Sequence, residues 1–231
     1  MEKERDVIAV AIDGPAAAGK STVAKRIAKI LDMTYVDTGA MYRAFTYAVL
    51  KKGLDPKNEE DAKTLIPSID IELLPNDTVL CNGEDVTTAI REPLVSSNVS
   101  YIAAMKPVRL KLVELQREMA KKKSVVMDGR DIGTYVLPKA EVKIFQIASV
   151  ETRAKRRYEE NLAKGIPSSY EEVEANVRQR DYIDSNRTFA PLKPASDSVL
   201  LDTSSLTIEE VVSAILKIIK DKTGLEGERC H

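Results

Sequence analysis

The chain has 231 residues, of which 43% are hydrophobic, and its 35 Lys and Arg nearly balance its 36 Asp and Glu. This length suits one principal domain, and the near-zero net charge gives the molecule no bias toward nucleic acid or an anionic membrane. No stretch approaches the roughly 18 apolar residues that a membrane-spanning helix needs. The first residues lack a signal-peptide apolar region, so we expect the mature protein to begin near Met1.

The cysteines and the single histidine restrict the available chemistry. Cys81 and Cys230 lie far apart without paired spacing, which predicts neither a disulfide framework nor a zinc site and favours a cytoplasmic location. His231 is the last residue, and chain ends are usually poorly ordered. We therefore expect no acid–base or nucleophilic catalysis by histidine.

Short apolar runs alternate with segments of helical periodicity, which predicts an α/β fold with a parallel sheet. The unbroken apolar run at residues 7–12 fits a strand that is buried on both faces, and the next segment has an apolar stripe at helical spacing. Four further strands are expected at residues 34–36, 124–127, 142–147 and 199–201. The expected sheet therefore has five parallel strands.

Two segments depart from this alternation. Residues 69–86 alternate apolar and polar side chains around turn signals at 75–77 and 82–83, which predicts a small antiparallel insertion. The highly charged segment 151–187 is interrupted at residues 164–167, which predicts a pair of helices. This helical hairpin is either a static surface element or a mobile lid, which would occupy about residues 153–172.

The loop after the first strand, GPAAAGKS at residues 14–21, matches the phosphate-binding pattern G-x-x-x-x-G-K-[ST] in full. Gly14 and Gly19 permit backbone conformations in which N–H groups surround phosphate oxygens, and the following helix adds its positive end. Lys20 is expected to reach the β- and γ-phosphates, and Ser21 to ligate Mg²⁺. The alternative is an incidental glycine turn. The expected triphosphate-binding residues are Gly14, Pro15, Ala16, Ala17, Ala18, Gly19, Lys20, Ser21 and Thr22.

A second group of residues indicates what else binds beside the triphosphate. Asp128 ends a predicted buried strand, where P-loop proteins place the acid that holds Mg²⁺ directly or through water, although such an acid can also be a helix cap. Arginines suit a second anionic substrate, because a guanidinium binds phosphate oxygens bidentately. The candidates are Arg43, Arg109, Arg130, Arg153, Arg157, Arg180 and Arg187, whereas Arg26, Arg117 and Arg156 fit a solvated face or a surface ion pair better.

Three motifs resemble those of bacterial cytidylate kinases, namely DTGAMYR at 37–43, DGRDIGT at 128–134 and RDYIDSNR at 180–187. The resemblance covers nearly the whole chain. It implies a P-loop NTPase three-layer fold in which residues 1–66 and 101–231 form the kinase core and residues 67–100 form a monophosphate-binding insertion. It also implies an enzyme that transfers the γ-phosphoryl group of ATP to CMP or dCMP. Apart from the resemblance, we expect a cytoplasmic monomer that uses Mg²⁺.

The same resemblance implies a role for each matching residue. The acceptor nucleotide would lie among Thr38, Tyr42, Arg43, Ser100, Arg109, Arg130, Asp131, Arg180, Asp184 and Arg187. Asp184 and Arg180 would contact the pentose, and the cytosine edge would be read by Ser100, Arg109 and Asp131, whose carboxylate can accept from the amine that uracil lacks. The catalytic residues would be Lys20, Asp128, Arg130, Arg153 and Arg157, with Arg153 and Arg157 closing onto the triphosphate.

Three other classes of function remain open on the residues alone. A switch GTPase or regulatory ATPase would hydrolyse its nucleotide without transfer, although the chain has no N-K-x-D guanine-reading motif. A kinase of the shikimate type would need a group that orients or deprotonates an alcohol. A nucleic-acid-binding module is disfavoured by the balanced charge and by a content of three Phe, eight Tyr and no Trp.

Overall fold

The computed structural model describes residues 7–226, so Cys230 and His231 lie outside the described residues. The strands are β1 (Ala9–Asp13), β2 (Thr34–Asp37), β3 (Ile71–Leu73), β4 (Val79–Cys81), β5 (Glu84–Asp85), β6 (Val125–Gly129), β7 (Val142–Ile147) and β8 (Val199–Asp202). The helices are α1 (Lys20–Ile30), α2 (Thr38–Lys51), α3 (Glu59–Lys63), α4 (Pro93–Ala104), α5 (Lys106–Lys122), α6 (Val150–Ala163), α7 (Tyr170–Asn186) and α8 (Ile208–Thr223).

The larger sheet has five parallel strands in the order β2-β6-β1-β7-β8, which confirms the predicted fold class. The register pairs Asp13 at the end of β1 with Gly129 in β6 and with Phe145 in β7. Asp37 ends β2 and pairs with Asp128. Parallel strands end at the same edge of a sheet, and this carboxyl edge is where α/β proteins bind ligands. The polar residues at the strand ends are therefore gathered along one edge.

Helices cover both faces of this sheet and bury its alternating side chains. Val10 and Ile12 of β1 pack with apolar residues of α1 and α8, whereas Ala11 on the opposite face packs with Val113 of α5. A fully buried Val or Ile side chain contributes about 1.5–3 kcal/mol to folding. The central strand therefore fixes the phosphate loop that follows it.

The smaller sheet is antiparallel, with strand order β3-β4-β5, as its alternating sequence predicts. Asn82 and Gly83 both have positive φ, at 51° and 78°, as a tight hairpin between β4 and β5 requires. Ile71 and Val86 pack into one cluster with Phe45 of α2 and neighbouring helices. The insertion thus lies against α2. The boundary that the sequence places at residue 100 falls inside helix α4, which spans Pro93–Ala104.

The charged segment forms the two expected helices, α6 and α7, which pack against each other. Ser149 caps the start of α6 by accepting the Thr152 N–H at 3.1 Å, and Ser169 forms a capping box with Glu172 at the start of α7. Gly165, with φ of 67°, follows the end of α6.

Between residues 7 and 226, no helix has the length and apolar character that crossing a membrane requires.

Candidate active site

A cavity of about 970 Å³ extends along the carboxyl edge of the parallel sheet. One end is lined by residues 17–22 of the phosphate loop and α1, and the other by polar residues of α2, α4, α7 and the segment after β6. Part of α6 also faces it. The cavity therefore joins the predicted triphosphate site to the predicted acceptor site.

The phosphate loop has the backbone geometry that its motif requires. At Gly14, a Cβ would lie 2.0 Å from the Gln146 carbonyl oxygen, so no side chain fits there. Ala17 and Gly19 have left-handed φ values of 58° and 88°, a conformation found where successive N–H groups form an anion-binding concavity. Gly14 and Ala16 are buried below the residues that line the cavity.

Lys20 is held by its own loop. Its Nζ donates to the Pro15 carbonyl oxygen at 2.7 Å, and the residue is 4% exposed. Burial, followed by the positive charge of Arg130, lowers the pKa of Lys20 to about 7. Phosphate oxygens would offset both effects, because an adjacent anion favours the charged ammonium. Lys20 is therefore a cation whose charge is best stabilised when an anion occupies the loop.

Asp128 connects the phosphate loop to the second substrate site. Its Oδ2 accepts from Ser21 Oγ at 2.8 Å, and its Oδ1 accepts from the Tyr35 hydroxyl at 2.7 Å. Thr38 Oγ1 donates to the Asp128 carbonyl oxygen at 2.6 Å. Burial raises the pKa of Asp128, and the nearby carboxylate of Asp37 adds to this rise. The predicted Mg²⁺ ligand Ser21 and the strand-end acid are thus direct neighbours.

Asp13 holds the segment that carries Arg130 and Asp131. Its carboxylate accepts the backbone N–H of Ile132 at 2.8 Å and of Gly133 at 2.7 Å. Burial raises the pKa of Asp13 to about 7, although both hydrogen bonds oppose the rise. Asp13 therefore ties the turn that follows β6 to the end of β1, where the phosphate loop begins.

The three predicted base-reading residues line one wall of the cavity. Asp131 forms ion pairs through Oδ2 with Arg109 and through Oδ1, at 3.3 Å, with Arg187. Arg109 also donates to the Ala103 carbonyl oxygen at 3.0 Å, and its guanidinium lies 5.4 Å from the Tyr42 ring centre. Burial raises the pKa of Tyr42 to about 12. Ser100, which is 3% exposed, completes this wall.

A second polar cluster lies closer to the phosphate loop. Arg130 Nε donates to Asp184 Oδ2 at 2.9 Å. Burial alone would raise the pKa of Asp184, but Arg130 and Arg180 outweigh it and lower that pKa. Burial, with a contribution from Arg130, lowers the pKa of Arg180 to about 9. Arg43 pairs with Asp37 at 3.1 Å and lines the cavity beside them. This excess of arginines suits an anionic ligand.

The two arginines assigned to the lid differ in the structure. Arg157 lines the cavity and pairs with Glu160 at 3.0 Å. Arg153 is buried, with its guanidinium directed at the phosphate loop itself, where it donates to the Ala16 carbonyl oxygen at 3.0 Å. It also forms an ion pair with Asp181 at 2.6 Å. Arg153 therefore contacts the back of the loop, while Arg157 faces the substrate space.

The interpretation of Arg156 as a solvated or ion-paired surface residue is wrong. Arg156 lines the cavity and donates to the carbonyl oxygens of Thr203 at 2.8 Å and Ala18 at 3.4 Å. Arg117 is exposed, as expected, and also donates to the carbonyl oxygens of residues 135 and 136. Arg156 is three residues after Arg153, and this helical spacing places both on one face. By contrast, Arg26 pairs with Glu209 at the surface.

Taken together, the parallel sheet, the phosphate loop between β1 and α1, the acid at the end of β6 and the arginine cluster facing the loop define a P-loop kinase. The family model described as cytidylate kinase matches residues 10–221. Because this match spans most of the sequence, the chain belongs to the cytidylate kinase family.

Individual relatives agree with this family. The cytidylate kinase of Anoxybacillus flavithermus is 54% identical over 225 residues, which cover 96% of this chain and 99% of that protein. The cytidylate kinase of Oceanobacillus iheyensis is 55% identical over 215 residues, covering 92% of this chain and 94% of that protein. The cytidylate kinase of Geobacillus kaustophilus is 53% identical over 220 residues and covers 94% of this chain and 98% of that protein.

Solved structures at low identity share the fold. An uncharacterised protein from Eubacterium ventriosum superposes with a TM-score of 0.53 at 14% identity, covering 93% of this chain and 98% of that one. A gluconokinase from Sinorhizobium meliloti superposes with a TM-score of 0.50 at 12% identity, covering 96% of this chain and 97% of that one. At such identities, the likeness concerns architecture and carries no information about substrate.

Proposed function

We propose that this protein transfers the γ-phosphoryl group of ATP to CMP, giving ADP and CDP, and that dCMP is also an acceptor. The observation that carries the proposal is the shared cavity, in which the phosphate loop faces Arg43, Arg130 and Arg180. A site that brings two polyanions together needs such cations between them. Membership of the cytidylate kinase family supports CMP as the acceptor.

The donor half binds the triphosphate through residues 14–22. Backbone N–H groups of the loop and the start of α1 hold the phosphate oxygens, while Lys20 moves from the Pro15 carbonyl oxygen to the β- and γ-phosphates. The attacking group of CMP is a phosphate oxygen that is already anionic near neutral pH. No side chain therefore needs to remove a proton, and catalysis rests on alignment and on stabilisation of charge.

The residues beside the loop fit Mg²⁺, which we include in the proposal. Ser21 and Asp128 present hard oxygen atoms 2.8 Å apart, the type of ligand that Mg²⁺ prefers. Residues 7–226 contain no group of three or more acidic, His or Cys side chains suited to a metal, so phosphate oxygens and water would supply the remaining ligands. When bound there, Mg²⁺ neutralises charge that develops on the phosphates.

The acceptor half recognises CMP through side chains from separate elements. Each oxygen of Asp131 contacts one arginine and retains a further lone pair, so the carboxylate can accept from the cytosine amine. Arg109 Nε and the Tyr42 hydroxyl are buried without a partner among the described residues, and both can bond the base. Asp184 and Arg180 would contact the pentose, with Thr38, Ser100 and Arg187 completing the site.

We extend the proposal to the organisation of the chain. Residues 67–100 would serve as the monophosphate-binding insertion in a core formed by 1–66 and 101–231, and residues 153–172 would close as a lid. Arg157, which already faces the cavity, would then approach the triphosphate. The proposal also takes the enzyme to be a monomer. Cys81 is a buried free thiol, as a cytoplasmic protein would keep it.

A coupled assay with ATP, Mg²⁺ and a panel of CMP, dCMP, UMP, AMP and shikimate tests the proposal. We expect the highest kcat/KM with CMP and a lower value with UMP. ATP hydrolysis without transfer to any monophosphate would contradict the proposal and favour a regulatory ATPase. Transfer to shikimate alone would favour an alcohol kinase. Omission of Mg²⁺ in the presence of EDTA should abolish transfer to CMP.

A further inference from the structure

Gln146 lies directly below the phosphate loop. It is the penultimate residue of β7 and is 1% exposed. Phe145 pairs with Asp13 in the adjacent strand, so Gln146 is level with Gly14, where the loop begins. Its side chain also lines the substrate cavity. An amide buried in the middle of a sheet is uncommon unless both of its polar atoms are used, so its contacts are informative.

Among the described residues, only one of the two polar atoms of the Gln146 amide has a hydrogen-bond partner. Its Nε2 donates to the Ala18 carbonyl oxygen at 2.6 Å, while its Oε1 is buried with no hydrogen-bond partner among residues 7–226. Arg156 approaches the same carbonyl oxygen at 3.4 Å, and Arg153 holds the Ala16 carbonyl oxygen at 3.0 Å. Alternate carbonyl groups of the loop are thus held by side chains of β7 and α6.

The direction of one carbonyl group determines the direction of the next N–H. A trans peptide is planar, and its C=O and N–H bonds point in opposite directions. Because Gln146 holds the Ala18 carbonyl oxygen below the loop, the Gly19 N–H points to the opposite side. In the described part of the chain, that N–H has no acceptor, and Gly19 lines the cavity.

The loop also contains a strained residue that needs such support. Ala17 has a left-handed φ of 58°, a conformation that a residue with a Cβ disfavours and that persists when surrounding contacts hold it. Ala17 lies between the two carbonyl groups that are held, those of Ala16 and Ala18. The contacts behind the loop thus coincide with the position where the loop would otherwise relax.

We propose that Gln146 is a positioning residue for the donor nucleotide. It fixes the Ala18–Gly19 peptide in the free protein, so that the Gly19 N–H is already directed at the place of a phosphate oxygen when ATP binds. The inference rests on the proposed assignment of residues 14–22 to the triphosphate. If Gln146 served only to fill space, an apolar side chain of equal length would replace it without loss of ATP affinity.

Two variants and one matched control test the inference. Gln146→Met keeps the length and removes the donor, and Gln146→Glu places a carboxylate against the Ala18 carbonyl oxygen. Gln116→Met is the control, because Gln116 in α5 is also fully buried but has no hydrogen-bond partner among the described residues. The measurements are ATP affinity by calorimetry without CMP, KM for each substrate, kcat and thermal unfolding.

We expect Gln146→Met to weaken ATP binding about fivefold to tenfold, the value of one hydrogen bond, with KM for CMP changed less than twofold. Gln146→Glu should weaken ATP binding further, because the negative charge of the introduced carboxylate repels the Ala18 carbonyl oxygen and the phosphates. Gln116→Met should leave both constants unchanged. ATP affinity equal to that of the unmodified protein in Gln146→Met, or equal rises in both KM values, would overturn the inference. Failure of the unmodified protein to bind ATP would instead refute the donor assignment.

Discussion

The two halves of the cavity are built in different ways. The donor half is a continuous loop that presents backbone N–H groups, with Lys20 as its main cation. The acceptor half is built from side chains of α2, α4, α5, α7 and the turn after β6, and several of its charges are already paired with one another. In the proposed function, a local motif therefore supplies general phosphate binding, whereas an assembly of distant residues supplies selectivity for one nucleotide.

The largest effect should come from the donor half. Replacement of Lys20 by Met removes the cation that stabilises the transferring phosphoryl group, and we expect kcat to fall by about 10²–10³-fold. Folding should be retained, because the hydrogen bond of Lys20 Nζ in the described structure stays within its own loop. A coupled kinase assay and circular dichroism measure both properties. Loss of CMP selectivity in this variant would show that the two halves are less separate than the structure indicates.

The next effect concerns the acceptor half. Asp131→Asn should reduce the preference for CMP over UMP by about tenfold to a hundredfold, since an unpaired polar group costs about 1–3 kcal/mol. KM for ATP should remain within about twofold. The structure adds a second expectation. The variant should also lose about 2–4 kcal/mol of folding free energy, because Arg109 and Arg187 lose their buried partner.

Asp197→Asn is the control for Asp131→Asn. Asp197 pairs with Lys143, but its side chain is 61% exposed, so its loss should leave selectivity unchanged. Urea unfolding and competition between CMP and UMP measure the two effects separately. Selectivity that stays constant in Asp131→Asn would remove Asp131 from the base-reading residues.

Arg153 and Arg157, which the proposed function assigns to a lid, test the comparison where the two halves meet. Arg157→Met should lower kcat by about tenfold to a hundredfold with little loss of stability, because its partner Glu160 is partly exposed. Arg153→Met should lower the melting temperature, because it leaves the Ala16 and Ala148 carbonyl oxygens without this donor. Equal melting temperatures for the two variants would contradict the structural role of Arg153.

The smallest effect is expected at Thr38. Its hydroxyl donates to the Asp128 carbonyl oxygen, so Thr38→Ser keeps the bond and should change kcat/KM for CMP less than about twofold. Thr38→Ala should lower it by about fivefold to tenfold. A large loss in the serine variant would show that the methyl group, and not the hydroxyl, orders this part of the acceptor site.

The sequence predicts the parts of the fold that depend on neighbouring residues. The five parallel strands, the antiparallel insertion and the helical hairpin follow from periodicity and turn residues and are confirmed. The phosphate loop is predictable because its glycines, Lys20 and Ser21 all lie within residues 14–21 and act together. The structure brings the predicted acceptor residues to one cavity, but only the family motifs, and no local pattern, indicated that they meet.

Contacts between distant segments are what the sequence cannot supply. Arg153 and Arg156 are equally charged members of one helix, and which of them reaches which loop carbonyl depends on how α6 packs against residues 16–18. Gln146 carried a weak signal, a polar side chain in a strand buried on both faces. In the sequence, Asp131 lies 22 residues after Arg109 and 56 residues before Arg187. No periodic pattern of residues spans such separations.

The pairing of Asp131 has a consequence for how the enzyme would fail on heating. Arg187 reaches Asp131 from the end of α7, and Arg109 reaches it from α5. If α7 detaches by local unfolding, the wall for the base loses a charge while the phosphate loop, anchored in the central sheet, keeps its shape. Because Arg180 and Asp184 also lie on α7, mild heat would then weaken acceptor binding while the phosphate loop can still bind a triphosphate.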